Sequence, residues 1–138
     1  MNILPEVLKI KNTIIETRRD IHKHPELSFQ EIRTSNLIAK KLKKYGLEVI
    51  GNIGKTGVIG ILKGKNKGKT IALRADMDAL PIQETGDISY KSVNQGIMHA
   101  CGHDAHIAIL LGAAEVLSKM KNKIYGEVRF IFQPAEEG

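Results

Sequence analysis

The spacing of apolar residues changes three times along this chain, and those changes confine it to one class of fold. From Pro5 to His22, Val7, Leu8, Ile10, Ile14, Ile15 and Ile21 recur at three- and four-residue intervals with charged residues between them. That is the period of a helix with one buried face. Pro5 suits its first turn, and Pro25 bars continuation. His22, Lys23 and His24 fall where polar and cationic side chains meet free carbonyls and the helix dipole. His22 and His24 are therefore read as end-of-helix residues. A His-x-His metal pair is disfavoured, because positions i and i+2 do not share a helix face. A second helix is predicted from Ser28 or Gln30 to Tyr45. Ser28 and Glu31 form a capping-box pattern, Ile32, Leu37, Ile38 and Leu42 form the buried stripe, and Gly46 is the stop.

The period then shortens. Leu47 to Ile50, Val58 to Leu62 and Thr70 to Arg74 read as strands. A turn-rich link, Gly51 to Gly57, joins the first two, and a hairpin-like connection, Gly64 to Gly68, joins the last two. Thr70 to Arg74 is the most apolar of the three and is expected at the centre of the sheet, buried on both faces. Ile82 to Gly96 is an aperiodic loop. A long helix follows, opened by His99 to Asp104 and flanked by Ile107, Leu110, Leu111, Ala114, Val116, Leu117 and Met120. A last strand runs from Glu127 to Gln133, with Val128, Phe130 and Phe132 alternating against Arg129 and Ile131. The order of elements predicts an α/β fold: a mixed, largely parallel sheet with helices on both faces.

Composition excludes several functions. At 138 residues, with 42% hydrophobic and 26% charged residues, the chain has the make-up of one globular domain. Trp is absent and aromatics are 4%, so the core must be aliphatic. The net charge of +6 comes largely from lysines in short runs with no aromatic residues interleaved for base stacking. These read as solvated faces, and no nucleic-acid partner is expected. One cysteine forbids an internal disulfide and suits a reducing compartment. Met1 to Leu8 carries acid and proline rather than a basic, then apolar, leader. No run of about 18 apolar residues exists to cross a membrane. A cytoplasmic location without membrane association is the expectation.

The chemistry concentrates in Met98 to His106, which holds that one cysteine and three of the five histidines. A thiolate, imidazoles and a carboxylate are ligands that zinc and related ions accept. Gly102 lets Cys101 and His103 aim at one centre. Asp76 and Asp78 follow the apolar strand, at the usual ligand edge of an open α/β sheet. Glu136 and Glu137 follow the last strand. If the strands bearing these pairs are parallel neighbours, all of these groups converge at one edge. A divalent ion there lowers the pKa of its water toward about 7. Adjacent glutamates suit a division of labour, one on the metal and one held off it as general base.

Three segments in this order carry a family resemblance: Arg74 to Pro81, Met98 to His106 and Gln133 to Gly138. They resemble the amidohydrolase branch of the aminoacylase/carboxypeptidase metallopeptidase superfamily. That branch includes hippurate hydrolases, N-acetyldiaminopimelate deacetylases and hydrolases of auxin–amino-acid conjugates. Arg18 to Leu27 resembles its N-terminal signature. The resemblance implies that Cys101, His103 and Glu137 are metal ligands in a site for two divalent metal ions, Mn²⁺, Zn²⁺ or similar. It implies Glu136 as general base and Asp78 as the aspartate that orients a ligating histidine. Asp76 stands where the wider superfamily has a histidine ligand, and Cys101 supplies the missing ligand. His99, Asp104 and His106 take supporting roles in hydrogen bonding, capping or packing.

The implied activity is hydrolysis of the amide bond of an N-acyl amino acid or peptide-like conjugate, in an enzyme expected to be a homodimer. An exopeptidase of the same superfamily and a non-catalytic remnant are the alternatives. Enzymes of that branch are much longer, with further histidine ligands and an inserted dimerisation domain. Residues 1–138 are therefore expected to be the N-terminal portion of such a catalytic domain, to leave a sheet edge unpaired, and to be nearly inactive alone.

Overall fold

The computed structural model describes residues 4–138. Met1 to Ile3, the start of the stretch in which no leader is expected, lie outside the described residues. The elements in chain order are α1 (Pro5–Lys9), α2 (Lys11–Lys23), α3 (Ile32–Lys44), β1 (Glu48–Ile53), β2 (Gly57–Lys63) and β3 (Asn66–Asp76). Then come α4 (His103–Lys119), a 3₁₀ turn (Lys121–Lys123) and β4 (Tyr125–Gln133). None of the described helices is long and apolar enough to cross a membrane.

The expected first helix is two. The chain breaks at Ile10 (φ −103°, ψ 4°), where the side chain turns into the core at 5% exposure although α1 buries nothing. At α3 the expected capping box does not form. Ser28 donates instead to Asp78, at 2.8 Å, and Glu31 sits at the N-cap without a side-chain cap bond. Glu26 does that work from outside the helix: its two carboxylate oxygens accept the N–H groups of Arg33 and Thr34, both at 2.9 Å. These are among the donors a helix start leaves free.

The sheet order is β1-β2-β4-β3. The α/β class and the mixed sheet agree with the sequence. The parallel character is smaller than expected: β1–β2 and β2–β4 are antiparallel, and only β3–β4 is parallel. The Gly64 to Gly68 connection is not a hairpin, because β4 lies between β2 and β3. Gly126 (φ +84°) lets β4 enter there, since a Cβ at that position would collide with the Lys69 carbonyl oxygen. Thr70 to Arg74 is likewise not central. It lies in the edge strand β3, with Ile71 60% and Leu73 36% exposed. An apolar run marks a strand that wants cover but does not say which neighbour arrives.

The helices pack on one face rather than two. Val58 and Leu62 of β2 and Val128, Phe130 and Phe132 of β4 form one cluster with Ile21, Ile38, Leu42, Ile107, Leu110, Leu111 and Ala114. The alternate residues Ile59, Ile61 and Ile131 are half-buried and Arg129 is exposed. Period-two alternation with a charged residue on the second face suits a sheet wet on one side.

One feature of the topology places the chemistry. In the parallel β3–β4 pair, Asp76 lies opposite Gln133. The segments leaving both strands therefore start side by side.

Candidate metal centre

Cys101, His103 and Glu137 each offer a ligand atom, and these atoms lie within 4.8 Å of one another. They come from three directions: the loop before α4, its first residue, and the turn after β4. Gly102 makes the close spacing possible. It adopts φ +99° at the N-cap of α4, a left-handed conformation that a side chain would oppose.

Asp78 organises the other two segments. Nδ1 of buried His103 lies 2.9 Å from the Asp78 carbonyl oxygen and 3.3 Å from its Oδ1. Two acceptors at Nδ1 make it the N–H donor and leave the Nε2 lone pair free, the arrangement a metal-binding imidazole uses. Oδ2 of Asp78 accepts the Ser28 hydroxyl at 2.8 Å and the Glu137 N–H at 2.9 Å. Burial pushes the Asp78 carboxyl upward, but hydrogen bonds from Glu137, Ser28 and Glu136 together hold it below its ordinary value. The group is thus an anion anchored at once to the histidine and to the glutamate pair.

Glu136 is the freer glutamate. Its side chain is 41% exposed, and Oε2 lies 3.9 Å from His103 Nε2. Cys101 is exposed. The Glu137 carboxylate beside it, then burial, then the charges of Glu137, Glu136 and Asp78 hold its thiol above the usual range. A cation among these groups inverts that effect and favours the thiolate. A sulfur, an imidazole nitrogen and a carboxylate oxygen, gathered in surplus negative charge, fit a zinc-like divalent ion.

The remaining sequence candidates are not part of this trio. Asp76 pairs with Arg74, Nε to Oδ1 at 3.0 Å. His106 is exposed on α4. His99 is buried, neither ring nitrogen has a protein partner, and burial holds its pKa down at about 4. Asp104 is fully buried, and its Oδ1 accepts the N–H of Ala105 at 2.9 Å.

His22 lies in the last turn of α2 as expected, but its side chain does not serve the helix's free carbonyls. Its Nδ1 lies 2.7 Å from Asp104 Oδ2 and its Nε2 3.1 Å from Glu84 Oε1, at 3% exposure. Arg18 Nε also meets Asp104 Oδ2, at 2.8 Å, and Glu84 accepts the Ser92 N–H at 2.7 Å. This buried network ties α2 and the 84–92 loop to the residue after His103. A signal was present in the sequence. Arg18 and His22 share a helix face at i, i+4 beside the apolar Ile14 and Ile21, and polar side chains on a packed face need partners. His24 keeps its expected place, with Nδ1 2.8 Å from the Asp20 carbonyl.

Fold and site together describe an α/β protein with a candidate metal centre at the ends of its two parallel strands. Residues 72–138 match the model of peptidase family M20/M25/M40. The chain is 55% identical over 133 residues to thermostable carboxypeptidase 2 of Saccharolobus solfataricus, covering 96% of this chain and 34% of that protein. It is 50% identical over 138 residues to hippurate hydrolase of Campylobacter jejuni, covering all of this chain and 36% of that one. A crystal structure of a dinuclear metal binding peptidase of the M20 family from Bacillus subtilis superposes with a TM-score of 0.90 at 47% identity, over 94% of this chain and 36% of that one. The chain belongs to the M20 peptidase family. It spans about a third of the length of these relatives.

Proposed function

We propose that this chain carries the general base and part of the ligand set of a metal-dependent amidohydrolase acting on N-acyl amino acids. The observation that carries the reading is the joint anchoring by Asp78, which holds His103 and Glu137 in place while Glu136 stays free beside them. The family membership and the likeness to hippurate hydrolase support it, because hippurate is an N-acylated glycine.

Cys101 Sγ, His103 Nε2 and a Glu137 oxygen would hold a divalent ion, which supplies Lewis acidity toward water and the acyl carbonyl. Glu136 takes the proton of the attacking water and returns it to the leaving amine. Asp78 keeps the His103 ring in one tautomer and orientation. A pair of ions, as named for the Bacillus relative, needs more donors than these three supply. The 138 residues alone are therefore expected to turn over slowly.

The likeness to a carboxypeptidase favours a second reading, exopeptidase action on short peptides. Comparing benzoylglycine with a free dipeptide separates the two, and faster turnover of the dipeptide would favour the exopeptidase. Cobalt titration tests the site. The expected result is a thiolate-to-cobalt charge-transfer band, abolished by Cys101→Ser, weakened at least about tenfold in affinity by Glu137→Gln, and unchanged by Glu136→Gln. Binding that survives without Cys101 would sink the assignment.

A further inference from the structure

Glu31 stands far from the metal ligands in sequence, yet its carboxylate reaches the turn that carries two of the site's glutamates. It is fully buried, at 0% exposure. Oε1 accepts the Ala135 N–H at 3.0 Å, and Oε2 accepts the Thr56 hydroxyl at 2.5 Å. A buried carboxylate is costly unless hydrogen bonds satisfy it, so these two donors define what the group does.

Ala135 needs such a partner. It adopts φ +53°, a left-handed conformation that non-glycine residues avoid. Two residues on, the Glu137 N–H is held by Asp78. The turn is thus gripped by a buried carboxylate on each side of Glu136. The end of the β1–β2 hairpin closes against it, since a Cβ at Gly57 would lie 2.9 Å from Pro134 Cδ.

We propose that Glu31 is a positioning residue: through the Ala135 N–H it holds the left-handed turn that sets Glu136 beside His103 and Glu137 against Cys101. The proposal rests on the roles given above to Glu136 and Glu137. Thr56 in turn fixes Glu31, so the hairpin tip takes part in shaping the site although it contributes no ligand.

Cobalt binding by the 138-residue chain tests it, read as affinity and as the charge-transfer band. Glu31→Gln is expected to weaken binding about tenfold and to shift the band. Adding Ala135→Gly should recover most of that loss, because glycine adopts positive φ without the hydrogen bond. A role in stability alone would lower the melting temperature of Glu31→Gln and leave the band where it was, which overturns the proposal. Thr56→Val keeps the Glu31 charge and removes one donor. It should shift affinity in the same direction by less, and it stands in if Glu31→Gln does not fold. If the unsubstituted chain shows no thiolate-to-cobalt band, the metal reading fails and this proposal falls with it. A normal band in the parent, undiminished in both variants, overturns the role of Glu31 alone.

Discussion

The two ends of the sheet treat charge in opposite ways. Where β3 and β4 finish, four acids are buried and shared. Glu31, Asp78, Glu84 and Asp104 are all 3% exposed or less, and each accepts from at least two partners. Where β3 and β4 begin, Lys65, Lys67, Lys69, Lys121 and Lys123 are exposed. The Lys63–Glu48 pair there, at 2.8 Å, has side chains 65% and 55% exposed. A buried charge cannot be hydrated, so its partners must be placed by the fold, and it holds them in return. An exposed charge has water as an alternative partner and constrains little. The difference explains why the buried acids at one end organise a site while the lysines at the other serve solubility.

The contrast can be broken by substitutions at either end. The largest effect is expected at Asp104. Asp104→Asn leaves His22 and Arg18 facing a neutral group in a buried setting and should cost about 3–5 kcal/mol, measured by urea unfolding. An effect no larger than a surface substitution would show that the network is not tight. Asp78→Asn comes next, read in metal affinity. It should weaken cobalt binding about 10–100-fold, because it loosens both His103 and the Glu137 N–H.

Two titrations sharpen the comparison. Burial raises the Glu84 carboxyl, but the Ser92 N–H, His22 and Lys91 bring it below its ordinary value of 4.5. Its folded pKa is therefore depressed, and its stabilisation is present above pH 4.5 and fades as pH falls through the folded value. The melting-temperature advantage of the parent over Glu84→Gln should shrink as pH is lowered from 7 through that window. Tyr45 behaves in the opposite sense. Burial first, and the Glu115 carboxylate second, push it up from 10.0 to about 12. The parent should lose stability relative to Tyr45→Phe as pH rises from 10 toward 12, because the unfolded chain ionises first. The smallest effect is expected at the opposite end of the sheet. Lys63→Gln should leave the melting temperature unchanged within error at ordinary salt, and a measurable loss there would erase the distinction between the two ends.

Much of this molecule was legible from residues alone. Apolar spacing located the strands and the helical stretches, and the alternation in β4 named its buried face, Val128, Phe130 and Phe132. Cys101 and His103 were singled out by residue type and spacing, Glu137 by the family resemblance, and the fold brings the three ligand atoms within 4.8 Å of one another. Each of these signals is local: a period, a proline, a glycine between two donors.

What required the tertiary structure was partnership between distant segments. β4 slips between β2 and β3, which sends the apolar β3 to the edge and leaves the helices on one face. His22, in the last turn of α2, reaches Asp104, 82 positions away, rather than the helix's own free carbonyls. Glu31 reaches Ala135, 104 positions away, instead of capping its own turn. A carboxylate or imidazole accepts many partners equally well in sequence. Only the packed fold, by excluding water from Glu31, Asp78 and Asp104, compels each to take the donors that lie within reach, and so turns scattered polar residues into the frame of a metal centre.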